Sequence, residues 1–159
     1  MTRLLNALFV CGFASWVSGA QAQVDAYGPN ITLGVAKQVA AKAADTAARN
    51  NFRVAIAVVD TAGNLVYFEK LDDTQTASIE VAIAKARSAS NFKRETKAFE
   101  TALSNGRTVI LGLPGAVPIE GGSPLRKDGK IIGAIGVSGV TSEQDGQVAK
   151  AGAESLLSD

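Results

Sequence analysis

Histidine is absent from the 159-residue sequence, and cysteine, methionine and tryptophan occur once each. Those single residues, Cys11, Met1 and Trp16, all stand within the first 22 positions, so residues 23–159 contain none of the four types. The lack of histidine excludes a serine or cysteine nucleophile activated by imidazole, and the lack of His/Cys spacings excludes a zinc site of the usual kind. The usual protein ligands for haem iron are reduced to Tyr27 and Tyr67. A net charge of +1, from 16 basic and 15 acidic residues, creates no field that would draw the chain to nucleic acid or to an anionic membrane.

At 47% hydrophobic and 19% charged residues, the chain has the composition of one compact domain. Its first segment reads differently from the rest. Arg3, the apolar stretch Leu4 to Val17 and the small residues of Ala20-Gln21-Ala22 predict a secretory signal peptide over residues 1–22, cleaved before Gln23. The apolar stretch is short for a membrane span. The expected product is an exported protein, periplasmic or secreted, consisting of the single domain 23–159 and having no membrane partner after cleavage. Without Arg3 its formal charge is zero. Lacking cysteine, it must be held by packing, to which association between copies can add, and not by disulfides.

Thr32 is placed to cap a helix with Leu33, Ala36, Val39, Ala43 and Ala47 on its packed side, ending at Asn50-Asn51. Val54 to Val59 is apolar throughout, which predicts a central strand covered on both faces, and Asp60 to Asn64 turns it into a second strand, Leu65 to Glu69. A helix is expected over Thr76 to Ser90 and a short one around Phe99 and Leu103. Nine of the sixteen glycines and three of the four prolines lie between Gly106 and Gly139, where Val109 to Leu111, Ala116 to Ile119, Pro124 to Lys127 and Lys130 to Val137 form short apolar or mixed runs. Asp128-Gly129 is a hairpin turn signal, and Ser142-Glu143-Gln144-Asp145 starts a last helix. The order α-β-β-α-α-β-β-β-α predicts an α+β domain with an antiparallel sheet.

Val58-Val59-Asp60-Thr61-Ala62-Gly63-Asn64-Leu65-Val66, Ala84-Lys85-Ala86-Arg87-Ser88-Ala89, and the stretch from Gly115-Ala116-Val117-Pro118-Ile119 through Gly133-Ala134-Ile135-Gly136-Val137-Ser138-Gly139 to Gln144-Asp145 together carry a resemblance. In order and spacing they are similar to the GlcG/HbpS family, small proteins related to haem-binding proteins and to the C-terminal domain of PduO-type proteins. The resemblance implies a profilin-like α+β fold, a five-stranded antiparallel sheet with helices packed on its faces, and a homo-oligomer with sites near subunit contacts. It makes haem the named cofactor and a tetrapyrrole the named small-molecule ligand. Ser88 stands where the family commonly has threonine, and Pro114-Gly115-Ala116 where it commonly has Gly-Gly before Val-Pro.

Lys85, Ser88 and Phe92 fall at i, i+3 and i+7 of the second helix and its continuation. They would line a pocket with a cation, a hydroxyl and an apolar wall, or form a solvated helix edge with Phe92 packed. The basic run Lys93-Arg94 with Lys97 would receive a carboxylate such as a haem propionate, or face solvent. Lys85, Ser88, Phe92 and Arg94 are thus the cofactor-binding candidates. Tyr67 lies in a strand pattern, where packing is its commoner role, and Tyr27 lies in a flexible lead-in. Asp60 and Glu120 are the candidate catalytic carboxylates, Asp60 at the end of an apolar strand and Glu120 before Gly121-Gly122. Both positions also suit ordinary turns. Gly133-Ala134-Ile135-Gly136 lies within a strand pattern and is no phosphate loop. Three functions remain open: a tetrapyrrole-binding protein, a cofactor-free acid-base enzyme acting on a small organic acid or aromatic compound, and a structural oligomer.

Overall fold

Helical spacing after Thr32 produces helix α1 (Leu33–Arg49) in the computed structural model, which describes residues 25–157. The leader expected over residues 1–22 lies outside the described residues. Thr32 caps α1 by accepting a hydrogen bond from the Val35 N–H at 3.4 Å, and Ala36, Val39, Ala40, Ala43 and Ala47 are buried. Leu33, expected on the packed side, is 51% exposed; the packed stripe begins one turn later at Ala36. Asn51 leaves the helix with φ 56°.

Strands β1 (Ala55–Val59) and β2 (Leu65–Lys70) form the expected hairpin, with Gly63 at φ 80° in its turn. Helices α2 (Ser78–Phe92) and α3 (Lys97–Ser104) follow. Strands β3 (Gly122–Lys127) and β4 (Lys130–Ser138) are joined through Asp128 and Gly129 at φ 50° and 70°, the pair of left-handed residues that a tight two-residue hairpin demands. Helix α4 (Ser142–Glu154) is capped one residue earlier than its sequence suggests. Thr141 accepts from the Gln144 N–H, and the Gln144 side chain accepts from the Thr141 N–H, so both orphan donors are satisfied.

The sheet is antiparallel throughout, in the order β2-β1-β4-β3. Four strands occur among the described residues, against the five expected. Val109-Ile110-Leu111 belongs to a 3-10 turn (Thr108–Gly112), and Ala116 to Ile119 is irregular. For Ala116 to Ile119 the reason is tertiary: the Val117 N–H donates to the Ser88 hydroxyl of α2 at 3.1 Å, and Pro118 has no N–H to give a neighbouring strand. The lead-in is pinned, not loose. Gly28 and Ile31 donate backbone hydrogen bonds to Ile131 and Ile132, each at 2.8 Å, so this segment runs beside β4.

Alternation along β1 divides the interior. Ile56 and Val58 join Val39, Leu125, Ile135 and Val148 in a branched core beneath α1 and α4. Ala55, Ala57 and Val59 face α2 with Ala82, Ala86, Ala89 and Ala134. Here the helix lies almost on the sheet backbone. A Cβ at Gly136 would sit 2.5 Å from the Ala86 nitrogen and nearer still to the Ala82 carbonyl oxygen.

Candidate functional site

Helix α2 carries Lys85, Ser88 and Phe92, but the tertiary structure sends them to three different partners. Lys85 is 1% exposed. Its Nζ donates to Asp145 Oδ2 at 2.8 Å and to the Val137 carbonyl at 3.1 Å. Because α2 and α4 lie on opposite faces of the sheet, this ion pair ties the two layers together around the end of β3. Gly121, at φ 128°, makes the passage possible: a Cβ there would stand 2.8 Å from Lys85 Nζ and 2.6 Å from the Val137 oxygen. Burial pushes the Asp145 carboxyl up from its ordinary value, and the Lys85 ammonium with the N–H groups of Val140 and Gly139 pulls it back only in part.

Lys85 therefore forms neither a pocket wall nor a solvated edge. Sequence reasoning assigned Asp145 to a capping sequence and missed its pairing. The signal was available in the spacing, since Asp145 stands three and four residues before Val148 and Ala149, which puts an acid in register with the apolar stripe. Ser88 is also fully buried, and its hydroxyl holds the Gly115 to Ile119 loop onto α2 through Val117.

Phe92 and Arg94 do come together. Phe92 is half-buried and meets Phe99 edge-to-face, with centroids 5.2 Å apart and planes at 78°. The Arg94 guanidinium carbon lies 5.5 Å from the Phe99 ring centroid, and Arg94 Nε donates to the Phe92 carbonyl at 3.2 Å. Beyond α3, the 3-10 turn has no buried residue. Val109, Leu111, Leu113 and Ile119 are 70%, 66%, 38% and 45% exposed on the segment that returns from α3 to α2. The half-buried Phe92, the buried Phe99 ring, the exposed Arg94 and an exposed apolar segment thus follow one another along the chain from the end of α2.

Asp60 is a turn-forming carboxylate. It accepts from the Ala62 and Asn64 N–H groups at 2.9 Å each and from the Asn64 side chain at 3.1 Å. Slight burial pushes its carboxyl up, but these donors outweigh it and hold it below the ordinary aspartate value. Glu120 is paired with Lys97 at 3.0 Å and lies against Gly146, where a Cβ would come 2.5 Å from its Cγ. The Glu120 hydrogen bond raises the Lys97 ammonium above its ordinary value. The adjoining cleft, lined by Glu95, Lys97, Glu120, Gly121 and Lys150, holds about 40 Å³.

The tyrosines lie apart. Tyr67 pairs with Val58, packs against the α1 and α4 core, and donates to Glu69 at 2.8 Å. Tyr27 donates to the Ser90 carbonyl at 2.8 Å beneath the Lys93 ammonium, 4.2 Å from its ring centroid. Among the described residues, no three His, Cys, Asp or Glu side chains converge as a metal site, and no helix is long and apolar enough to cross a membrane.

A family model described as haem degrading protein HbpS-like matches residues 31–154. Protein GlcG of Escherichia coli strain K12 is 43% identical over 104 residues, covering 65% of this chain and 78% of GlcG. A double mutant of HbpS from Streptomyces reticuli superposes with a TM-score of 0.74 at 26% identity, over 96% of this chain and 99% of that one. A crystal structure of a PduOC:haem complex shares the fold, with a TM-score of 0.71 at 24% identity, over 80% of this chain and 95% of that one.

Proposed function

Because the chain belongs to the HbpS-like family of haem-degrading proteins, we propose that it is an exported, oligomeric small-molecule-binding protein whose ligand is a tetrapyrrole. The observation that carries this reading is the chain following α2, where the half-buried Phe92 and the exposed Arg94 flank the buried Phe99 ring and precede the exposed Val109, Leu111, Leu113 and Ile119. A flat macrocycle fits such a surface through its apolar faces, and Arg94 is free to take a propionate in a charge-assisted hydrogen bond.

The fit stops at the iron. Tyr67 packs on the opposite face of the sheet and Tyr27 is committed to Ser90, so neither faces the apolar loop. Lys85 is occupied by Asp145, and Ser88 by Val117. Among the described residues the porphyrin face and its carboxylates find partners, and histidine, cysteine and methionine, the conventional side-chain ligands for its iron, do not occur. Haem and iron-free protoporphyrin should therefore bind with similar affinity.

Absorbance titration of both compounds tests this. Arg94→Ala and Leu111→Ser should weaken binding of each, as should Phe92→Ala if its circular dichroism matches the parent, whereas Tyr67→Phe should not. Loss of a high-affinity Soret band in Tyr67→Phe alone would make the strand tyrosine the ligand and move the site. Assembly is expected to be a closed homo-oligomer, which light scattering at micromolar concentration would contradict by showing a monomer. Intact mass of exported protein should begin at Gln23.

A further inference from the structure

The two edges of the sheet differ in a way that assigns one of them a partner. On β3, the outward N–H of Gly122 donates to the Thr96 hydroxyl at 2.9 Å, and its carbonyl accepts from the Thr96 N–H at 3.0 Å. The next outward residue is Pro124, which has no N–H. That edge is closed to another strand.

On β2, Leu71 donates to Val54 at 3.0 Å, so the hydrogen-bonded pairs with β1 continue through Glu69 with Ile56 and Tyr67 with Val58. Phe68 and Lys70 therefore turn their backbone N–H and C=O groups outward, and no described residue meets them. No proline interrupts β2, and Leu65 beside this edge is 45% exposed.

We infer that β2 is the assembly edge of the protein, pairing antiparallel with β2 of a second copy about a two-fold axis at Phe68. A two-fold axis normal to the sheet keeps the faces of both sheets aligned, so residues opposite one another must be two Phe68, two Tyr67 or two Glu69. The side chains select among these registers. Opposing two Glu69 would join two carboxylates, each with an oxygen, Oε1, that is already buried without a donor among the described residues. Opposing two Tyr67 would set the outward Phe68 against the partner's Val66, which a bulge leaves out of the ladder. Opposing Phe68 with the partner's Phe68 instead sets an aromatic pair at the centre and Tyr67 against the partner's Glu69. The two Phe68 then exchange a pair of backbone hydrogen bonds, and the bulge at Val66 ends the regular pairing beyond them. This rests on the assembly part of the proposed function and is independent of any tetrapyrrole.

The chain offers a direct test because Cys11 is its only thiol. In the full chain carrying Cys11→Ser, a cysteine replacing Phe68 would face its own copy with Cα atoms about 5.5 Å apart, inside the window of about 4.4–6.8 Å that a disulfide accepts. Mild oxidation should convert most of the Phe68→Cys protein to a covalent dimer, and Leu65→Cys, displaced from the axis, should remain unlinked. Since Phe68 also packs against α2, Lys70→Pro provides a second measurement that spares the core. It removes one outward donor and should lower the dimer fraction while leaving circular dichroism unchanged.

An assembled parent chain whose Phe68→Cys form stays unlinked overturns the register and the edge while leaving the assembly reading intact. A monomeric parent overturns both. A monomer with Phe68 and Lys70 amides protected from exchange would show another segment of the same chain on the edge. Haem titration of Lys70→Pro reports on the ligand separately.

Discussion

The two faces of the sheet are built from different materials. Beneath α1 and α4 the core is branched, with Val39, Ile56, Val58, Leu125, Ile135, Val137 and Val148 interlocked. Beneath α2 it is nearly all alanine and glycine. Small side chains bury less apolar area each, but they let helix and sheet backbones approach until buried polar groups can reach across. Lys85, Ser88 and Thr96 all occupy that tight layer, and Asp145 reaches it from the far face. The branched face supplies ordinary hydrophobic stability; the small-residue face holds a polar arrangement in which positions are fixed to fractions of an ångström.

Substitutions should therefore be felt unequally. The largest effect is expected for Gly136→Val, whose added atoms would meet the Ala82 carbonyl and the Ala86 nitrogen, backbone groups that cannot move without lifting α2. A loss of about 4 kcal/mol or more is expected, read by urea unfolding or as failure to recover folded protein. A stable, native-like Gly136→Val chain would mean that α2 is not held against the sheet. Next come Lys85→Met and Asp145→Leu, each leaving a buried polar group without its partner and costing about 3–5 kcal/mol. The double variant Lys85→Met/Asp145→Leu should recover much of that loss, and a strictly additive double-mutant cycle would contradict the coupling.

On the branched face, Ile56→Val deletes one methylene and should cost only about 0.5–1.5 kcal/mol, because the neighbouring side chains can relax. The smallest effects are electrostatic and can be read by NMR titration of the two aspartates. Asp60 is held below its unfolded value, so its contribution to stability is present above the ordinary carboxylate range and is lost as pH falls through the folded value. Asp145 has the opposite sign. Raised above its unfolded value, its contribution is whole at acid pH and declines as pH rises through the carboxylate range. Asp145 should thus titrate above Asp60, and the reverse order would contradict the burial difference between the sites.

Much of the architecture was legible because its causes are local. Thr32 and the alanine stripe behind it define α1, the apolar run at Val54 to Val59 yields the central strand, and Asp128-Gly129 makes its hairpin. Leu111 shows the limit. Its run, Val109 to Leu111, has strand-like composition, yet it pairs with no strand among the described residues and winds into an exposed 3-10 turn. Ala116 to Ile119 similarly loses its strand to a single buried hydroxyl on another element. The contacts around Phe99 were not legible: Phe92 was grouped with Lys85 and Ser88, Arg94 with Lys93 and Lys97, and Phe99 was read as a helix marker and not as the ring that Phe92 and Arg94 both meet.

What the sequence by itself determined was the inventory of elements, the covered central strand and the poverty of iron-ligating chemistry. Those follow from residue types and from spacings of a few positions, across which side chains must meet whatever the rest of the chain does. Only the tertiary structure decided that Lys85 finds Asp145 sixty residues away, that Ser88 holds a loop, and that one sheet edge is closed while the other stays open. Such pairings depend on which backbones come close enough for a buried charge to find its counter-charge, and that closeness is set by glycines and alanines whose own side chains carry almost no chemistry.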